Sequence, residues 1–284
     1  MIPILFKIGP LTLFGRHFEI PVYSYGLMLG IGFLLGSYVL SLELKRKKLD
    51  PAMASTITFL GVIFGIAGAK ILYLIEDWSF FLRDPFGMAF SPGGLTWYGG
   101  LILGVLAVYL YLKRKRVKML KVWDGIGIGL MLGYGVARLG CHLSGDGDYG
   151  FPTSLPWGTD YSRGIYPPSR AFAIFPEIAS QYPGSVVPDT TPCHPTPVYE
   201  MILGVIGFII LWKLRKKNWA DGQLFAVYLM LSSVFRFSVE FLRLNPRLLF
   251  GLSEAQLFSI VVFIAGFLVF RRLSSRPEST ARAA

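Results

Sequence analysis

Charged residues are scarce in this sequence. They form 16% of its 284 residues, whereas soluble domains carry about 25%. Only two cysteines are present, too few for a disulfide scaffold. The first residues show no basic stretch followed by a small-residue cleavage site, so the sequence predicts no cleavable signal peptide. With 53% hydrophobic residues, these features exclude the soluble and disulfide-rich classes and favour a polytopic membrane protein.

Seven apolar segments predict an all-α fold, with about seven transmembrane helices in a polytopic membrane protein. They lie at about 21–42, 52–75, 95–112, 122–140, 198–212, 223–242 and 253–270. Residues 1–20 are amphipathic, and we interpret them as a segment at the membrane interface. Neither an internal repeat nor a linker is evident, so we expect one domain over residues 1–284.

The net charge of +11 by itself is compatible with nucleic-acid binding, but the basic residues lie at the ends of the apolar segments. Their clusters at 45–48, 113–121, 213–217 and 271–282 follow the first, third, fifth and seventh spans. The positive-inside rule makes that side cytoplasmic. We therefore expect an extracytoplasmic N-terminus, an extracytoplasmic loop over about 141–197 and a cytoplasmic tail over about 271–284, disordered from residue 274.

The end of the fourth span concentrates polar chemistry in a few residues. Arg138 lies inside the apolar segment, and Cys141, His142, Asp146 and Asp148 follow it within ten residues. A cation, a thiol, an imidazole and two carboxylates at such density are foreign to a packing helix. This stretch is therefore the first candidate for a functional site.

Two arginines lie within apolar segments near their extracytoplasmic ends, Arg138 in the fourth span and Arg236 in the sixth. Glu240 and Arg243 follow Arg236 on the same helix face. One interpretation is that Arg236 pairs with Glu240 and that the arginines reach the membrane interface. The alternative is that Arg138 and Arg236 bind an anion, for which the phosphate of a phospholipid headgroup is suited.

A second polar motif, with His194, Tyr199 and Glu200, precedes and opens the fifth span. Glu200 either takes part in a site or complements the helix dipole from the first turn. Cys141 and Cys193 are predicted on the same oxidising side, which leaves a disulfide open. The two cysteines and their neighbouring histidines also suggest zinc, but their spacing does not match the usual ligand patterns, and we predict no metal site.

Two further stretches hold aromatic residues beside glycine. Tyr98, Gly99 and Gly100 open the third span, where the glycines permit either a close approach of a headgroup or tight helix packing. Tyr25 in the first span is expected to line a core or cavity, although a place in the interfacial aromatic belt is also open.

Together these motifs resemble the bacterial prolipoprotein diacylglyceryl transferases over nearly the whole chain. The similar stretches are 23–28, 98–102, 138–146, 194–200 and 236–243. Some positions differ from the family pattern. Tyr98 stands where the family has histidine, Cys141 where it has asparagine and Ala137 where it has glycine, while Asp146 and Asp148 compete for the place of a glutamate.

The resemblance implies transfer of a diacylglyceryl group from phosphatidylglycerol to the thiol of a lipoprotein-precursor cysteine, with formation of a thioether and release of glycerol phosphate. The implied partners are phosphatidylglycerol, a signal peptide with a lipobox cysteine and the lipid bilayer of the bacterial plasma membrane, with no nucleic acid. No metal or organic cofactor is implied.

The resemblance also assigns roles to residues. The catalytic candidates are Arg138, Arg236, Tyr98, Asp146 and Glu240. The substrate-binding candidates are Tyr25, Gly99, Gly100, Cys141, His142, His194, Tyr199, Glu200 and Arg243. Arg138 and Arg236 would stabilise the charge on the leaving phosphate. A tyrosine, with a reference pKa of about 10, is a poor base. The base that accepts the thiol proton would then be His142, His194, Asp146 or Glu200, or Tyr98 would relay the proton.

Two other functions remain open. The departures at Tyr98 and Cys141 are compatible with a relative that binds lipid or lipoprotein without catalysis. The other open function is a small-molecule transporter. Transporters often carry inverted repeats and mid-membrane sites, whereas the charges in this sequence lie near one face.

Overall fold

The computed structural model describes residues 1–13, 16–91 and 93–275, and the side chains of 11–13 and 16–18 are not described. Phe14 of the expected interfacial segment therefore lies outside the described residues. The same applies to residues 276–284 of the tail for which disorder is expected.

The described chain is mostly helical. Its α-helices are α1 (Ser24–Arg46), α2 (Met53–Glu76), α3 (Trp78–Phe81), α4 (Pro85–Phe90), α5 (Trp97–Arg114), α6 (Met119–Ser144), α7 (Pro168–Ala171), α8 (Pro176–Ala179), α9 (Thr196–Leu214), α10 (Gln223–Val239) and α11 (Glu254–Ser274). Turns of 3₁₀ helix cover Phe172–Ile174, Pro183–Ser185 and Glu240–Leu242. The prediction of a helical, polytopic membrane protein is confirmed.

Within the described residues, six helices are long and apolar enough to cross a membrane: α1, α2, α6, α9, α10 with its 3₁₀ extension, and α11. The third predicted span forms α5, but this helix has 18 residues and ends in Lys113 and Arg114. These charges lower its average hydropathy below that of the other six. The predicted count of seven spans is therefore not confirmed.

Two short antiparallel hairpins accompany the helices. The first joins β1 (Ile4–Leu13) to β2 (Arg16–Tyr23), and the second joins β3 (Arg247–Leu249) to β4 (Leu252–Ser253). Residues 1–20, expected at the interface, thus lie largely in a hairpin. Its side chains at Phe6 and Ile20 are 55% and 52% exposed, a property compatible with contact with lipid.

The chain divides into two compact units, one of residues 1–36 and 126–284 and one of residues 37–125. In the second unit α2 packs on α5 through glycine. A Cβ on Gly100 would lie 2.8 Å from the carbonyl oxygen of Gly65, and one on Gly99 would lie 2.5 Å from Cβ of Leu72. Close helix packing alone accounts for both α5 glycines, so their expected role at a headgroup stays a prediction.

In the first unit, α6 and α9 approach closely through another pair of glycines. A Cβ on Gly135 would lie 3.5 Å from Cα of Gly204 and 3.3 Å from the carbonyl oxygen of Met201. Arg138 follows Gly135 by about one helical turn, and Glu200 precedes Gly204 by about one turn. The two helices run in opposite directions, so this contact brings Arg138 and Glu200 together.

The fourth predicted span extends further than expected, because α6 continues to Ser144. Gly145 ends it with a φ of 59°, and its N–H donates to the carbonyl of Cys141 at 3.0 Å, as in a left-handed helix cap. Cys141 and His142 therefore belong to the last turn of α6, which corrects their assignment to the loop. The reason is that no residue before Gly145 interrupts the helix.

The long polar loop after α6 is folded around a small core of its own. The core consists of Tyr149, Tyr161, Ala171, Phe172, Val187 and Cys193. The rings of Tyr149 and Tyr161 stack with centroids 4.2 Å apart. A backbone hydrogen bond joins the loop to the end of α10: the N–H of Phe151 donates to the carbonyl of Leu242 at 3.0 Å. The loop therefore holds its acidic residues in fixed positions beside the end of α10.

Candidate active site

The carboxylate of Glu200 is the centre of a cluster of charged side chains. Glu200 is the fifth residue of α9 and lies in its second turn rather than in the first turn as expected, and its side chain is only 2% exposed. Its Oε1 accepts hydrogen bonds from Tyr134 at 2.6 Å and from Nη1 of Arg236 at 3.0 Å. Its Oε2 accepts one from Nη1 of Arg243 at 3.2 Å and forms an ion pair with Nε of Arg138 at 3.1 Å. One carboxylate thus joins α6, α9 and the α10 region.

Asp148 supplies a second carboxylate to the same arginines. Its Oδ2 contacts Nη1 of Arg138, and its Oδ1 accepts from Nη2 of Arg243 at 2.6 Å. The hydroxyl of Thr196 donates to the Asp148 carbonyl at 2.6 Å and holds the backbone in place. Asp148 therefore bridges the two arginines from the loop.

Glu240 forms the third carboxylate and is fully buried. Its Oε2 forms an ion pair with Nη2 of Arg236 at 2.8 Å, which confirms that these two residues share a helix face. Its Oε1 accepts hydrogen bonds from Asn245 at 2.6 Å and from Ser253 at 2.7 Å. Glu240 is held on both oxygens and positions Arg236.

The cluster is electrically balanced, with three guanidinium groups against three carboxylates. A buried charge is tolerated near a membrane only when it is paired, because desolvation of an isolated ion costs several kcal/mol. Of the arginine side chains, Arg243 is 9% exposed, Arg138 18% and Arg236 26%. Arg243 is thus a buried tie, whereas Arg138 and Arg236 keep a surface that a ligand can reach.

The structure combines the two interpretations of the arginines. Arg138 and Arg236 are paired with carboxylates, and each also has an N–H donor that is available to a ligand. Within the part of the chain that the structure describes, Nη2 of Arg138 and Nε of Arg236 have no hydrogen-bond partner. Charge-assisted N–H donors of this type suit a phosphate oxygen. The arrangement can hold an anion without leaving a buried cation unpaired when the anion departs.

Cys141 and Asp146 lie beside this cluster. The Cys141 sulfur is 3.9 Å from Nη1 of Arg138, and the ligand atoms of Cys141, Asp146 and Asp148 all lie within 4.8 Å of one another. This grouping differs from the cysteine–histidine set considered for zinc. Both carboxylate oxygens of Asp148 already form ion pairs with Arg138 and Arg243. Both cysteines are free thiols, so the disulfide considered between Cys141 and Cys193 is not formed.

The two histidines of the described site hydrogen-bond to tyrosines. Nδ1 of His142 lies 3.0 Å from the hydroxyl of Tyr161 in the loop core. Nδ1 of His194 lies 3.3 Å from the hydroxyl of Tyr199, which also accepts from Trp157 at 2.8 Å. These contacts place the His142 imidazole at the end of α6 against the folded loop, and His194 and Tyr199 at the junction of the loop with α9.

The remaining expected site residues lie on other helices. The Tyr25 backbone packs on α6, where a Cβ on Gly140 would lie 3.1 Å from Cα of Tyr25, and the Tyr25 side chain is 42% exposed. Tyr98 opens α5 in the unit of residues 37–125, with its ring 5.3 Å from that of Trp97. Its expected catalytic role stays a prediction.

Sequence reasoning did not single out two members of the cluster, Tyr134 and Thr196. Tyr134 precedes Arg138 by one helical turn, so the 3.6-residue period alone places it on the arginine face, and its ring lies 4.9 Å from the guanidinium. Thr196 acts through its contact with the Asp148 backbone, for which no local sequence signal exists.

The acidity of Asp148 reflects its arginine partners. Burial raises the pKa of this carboxyl, but the charges of Arg243 and Arg138 outweigh it and hold the pKa well below its usual range. A depressed carboxyl pKa contributes stability above the unfolded-state value of about 3.9, and this contribution is lost as the pH falls toward the folded-state value.

We therefore expect Asp148→Asn to lower the free energy of unfolding at pH 7 by roughly 2 kcal/mol. This is less than the 3–5 kcal/mol for a fully buried pair, because the Asp148 side chain is 30% exposed. Thermal unfolding in detergent from pH 7 to pH 3 measures this loss of stability. The difference in unfolding free energy between variant and wild type should narrow below pH 4. The exposed Glu177→Gln serves as a control with no change, and a constant gap across the range would contradict the ion-pair explanation.

Comparison with known proteins supports one family. The family model described as prolipoprotein diacylglyceryl transferase matches residues 11–272. Proteins named phosphatidylglycerol–prolipoprotein diacylglyceryl transferase are similar along their whole length. The one from Clostridium tetani is 31% identical over 95% of this chain and 97% of its own. The one from Clostridioides difficile is 30% identical over 94% and 96%, and the second such protein of Clostridium perfringens 32% identical over 93% and 97%.

The match covers the second strand of the N-terminal hairpin, the long loop and nearly all of α11, and it includes every residue of the charged cluster. Helix content, apolar helices and the order of motifs agree with it. The chain belongs to the prolipoprotein diacylglyceryl transferase family.

Proposed function

We propose that this protein transfers a diacylglyceryl group from phosphatidylglycerol to the cysteine thiol of a lipoprotein precursor. The observation that carries this proposal is the pair of partly exposed arginines, Arg138 and Arg236, which share the carboxylate of Glu200 and each retain a free N–H donor. The names of the relatives indicate the same two substrates.

The chemistry follows from the charges. In the reaction the thiolate sulfur of the precursor attacks the glyceryl carbon that bears the phosphate ester. The carbon–oxygen bond breaks, and its electron pair leaves on glycerol phosphate. The free donors of Arg138 and Arg236 bind the phosphate and stabilise the developing charge, an effect for which one preorganised donor contributes about 10²–10³-fold in rate.

The remaining members of the cluster position these donors. Glu200 and Asp148 fix the guanidinium of Arg138 from two sides, and Glu200 and Glu240 do the same for Arg236. A guanidinium held in one orientation loses little conformational entropy when the phosphate binds. The carboxylates thus prepare the site for an anion without neutralising the donors that face it.

We further propose that the chain lies in the bacterial plasma membrane with its N-terminus outside and its C-terminus in the cytoplasm. The basic clusters at the ends of α1, α5, α9 and α11 support this orientation. The charged cluster and the folded loop then face the extracytoplasmic side, where a precursor presents its lipobox cysteine. Phosphatidylglycerol reaches the arginines from the bilayer.

The test is a transfer assay with the full chain in vesicles that contain phosphatidylglycerol and a signal peptide with a single cysteine. Mass spectrometry is expected to show the peptide heavier by one diacylglyceryl group, with glycerol phosphate released in equal amount. A cysteine-to-serine peptide and vesicles of phosphatidylcholine serve as controls without product. Lipid binding without any thioether would contradict the proposal and favour a non-catalytic relative.

A further inference from the structure

We propose that Asp146 accepts the proton of the substrate thiol, while Asp148 in the same loop serves to orient the arginines. The inference rests on the proposed transferase function and assigns the base within that site. Sequence reasoning left the base open among His142, His194, Asp146 and Glu200, with relay through Tyr98 as another route. The contacts of the described residues separate these candidates.

Glu200 is unsuited because both of its oxygens are occupied. Each oxygen is in contact with two donors, and the carboxylate is shared by Arg138, Arg236 and Arg243. Its side chain is 2% exposed. A base needs a free lone pair that the acidic proton can approach. Asp148 is occupied in the same way, because each of its oxygens contacts an arginine.

The two histidines are turned toward the folded loop. His142 hydrogen-bonds to Tyr161, which is fully buried, and its ring packs edge-on against that tyrosine. His194 hydrogen-bonds to Tyr199, whose hydroxyl also accepts from Trp157. The described contacts of both rings are therefore with tyrosines, and neither imidazole forms a described contact with the arginines.

Asp146 differs from these residues in exposure and in contacts. It is the most exposed of the group formed by Cys141, Asp146 and Asp148. Its Oδ1 accepts only a long hydrogen bond, 3.3 Å from the backbone N–H of Asp148. The carboxylate keeps lone pairs free, yet it stays within 4.8 Å of the Asp148 oxygen that belongs to the arginine cluster.

Cys141 indicates that a thiol can be held at this carboxylate. The Cys141 sulfur lies within 4.8 Å of a carboxylate oxygen of Asp146 and 3.9 Å from Nη1 of Arg138. A thiol in this region therefore lies between a carboxylate that accepts its proton and a guanidinium that binds phosphate. The substrate thiol needs the same two neighbours, and the exposed side of Asp146 is the side from which it can enter.

The surroundings of Asp146 also favour proton uptake. Burial raises the pKa of Asp146, and the negative charge of Asp148 raises it further, whereas Cys141 and Arg138 act in the opposite direction with less effect. The titratable and charged groups that face Asp146 are Asp148, Cys141, Arg138, Tyr25 and Tyr161. A carboxylate with a raised pKa is a stronger base for a thiol.

The proposed step balances in protons and electron pairs. The Asp146 carboxylate takes the thiol proton, the resulting thiolate forms the carbon–sulfur bond, and the broken carbon–oxygen bond leaves its electron pair on glycerol phosphate. Asp146 then releases the proton to water. No oxidant, reductant or further reactant takes part.

The test is the pH dependence of Asp146→Asn. Without a base, only substrate that is already thiolate reacts, and a thiol of pKa about 8.5 is about 3% thiolate at pH 7. We expect the variant to be about 30-fold slower than wild type at pH 7. Its rate should rise about tenfold per pH unit and approach the wild-type rate above pH 9. The measurement is the initial rate of thioether formation at pH 6–9.5.

The control is Asp160→Asn, the same substitution at an exposed aspartate of the same loop, where Oδ1 accepts from the N–H of Ser162. It is expected to follow the wild-type profile. Asp146→Glu keeps a carboxylate and should exceed Asp146→Asn in rate at pH 7, which tests the proposal even if the amide variant accumulates poorly.

Three outcomes would overturn the assignment of Asp146: a rate of Asp146→Asn within threefold of wild type at pH 7, a deficit that is equal at every pH, or equal rates for Asp146→Asn and Asp146→Glu at pH 7. A failure of the proposed function is distinct, because wild type itself would then form no thioether. Unchanged binding of phosphatidylglycerol by Asp146→Asn would support a role in proton transfer rather than in lipid binding.

Discussion

Replacing Arg138 by alanine is expected to lower the rate of diacylglyceryl transfer by about 10³-fold or more. Loss of one preorganised donor to a developing anion costs about 10²–10³-fold. The loss at Arg138 is larger because Asp148 and Glu200 then lack a cation that they share and repel the phosphate. The measurement is the initial rate of thioether formation at equal amounts of membrane-inserted protein.

Two further variants make this prediction specific. Arg138→Lys keeps the positive charge but loses the planar fork, so its rate should lie between those of alanine and wild type. Arg163→Ala removes an exposed arginine from the same loop and should leave the rate unchanged. If Arg138→Ala kept more than a tenth of the wild-type rate, the arginine would not be the group that binds the leaving phosphate.

Replacing Glu200 by glutamine is expected to lower the free energy of unfolding by about 3–5 kcal/mol, the usual cost of removing one partner from a buried ion pair. The amide keeps the shape of the side chain but removes the charge that three arginines share. The cluster is left with an unbalanced positive charge in an apolar surrounding. Transfer should also be lost, because Arg138 and Arg236 lose their common support. Thermal unfolding in detergent and the transfer rate measure the two effects.

An exposed ion pair provides the contrast. Lys7 and Glu19 lie 2.7 Å apart with side chains more than half exposed, and such pairs contribute little because water solvates the separated charges. Glu19→Gln should therefore leave the unfolding transition where it is in wild type. A Glu200→Gln protein that unfolds at the wild-type temperature would contradict the account of Glu200 as the centre of the cluster.

The balance of the cluster also explains why arginine occurs in an apolar segment. An unpaired guanidinium at that depth is costly, whereas here Arg138 and Arg236 each meet two carboxylates and Arg243 meets three. The geometry leaves Arg138 and Arg236 with a donor each for a ligand, while Arg243 is a structural tie. Pairing and anion binding were alternatives when only the sequence was considered, and the structure makes them parts of one arrangement.

Several features of the site followed from local sequence patterns. Arg236 and Glu240 are four residues apart on a helix, so their contact depends only on the helical period. The prolines before Glu200 predict the start of its helix, but the predicted first-turn position of Glu200 is wrong, because α9 already begins at Thr196 and has no acidic residue in its first turn. The apolar pattern predicts an end of α6 that is too early, because this helix boundary depends on the capping geometry of Gly145 rather than on where apolar residues stop.

Other features depend on contacts between distant parts of the chain. Asp146 and Asp148 have nearly the same local sequence, and only the folded loop turns Asp148 toward Arg138 and Arg243. Tyr98, Gly99 and Gly100 show the converse case. Their motif suggested a headgroup site, and their described contacts are those of α5 with its neighbour α2 and of one aromatic ring with the next.

The membrane class, the apolar helices and the family follow from the amino-acid sequence alone, because hydropathy and short motifs are properties of contiguous residues. The tertiary contacts make Glu200 the centre of the cluster, make Arg243 a tie and bring Asp148 onto Arg138 and Arg243. These roles arise where α6, the loop, α9 and the end of α10 meet. Their contacts join residues up to 95 positions apart, and no local period encodes such a distance.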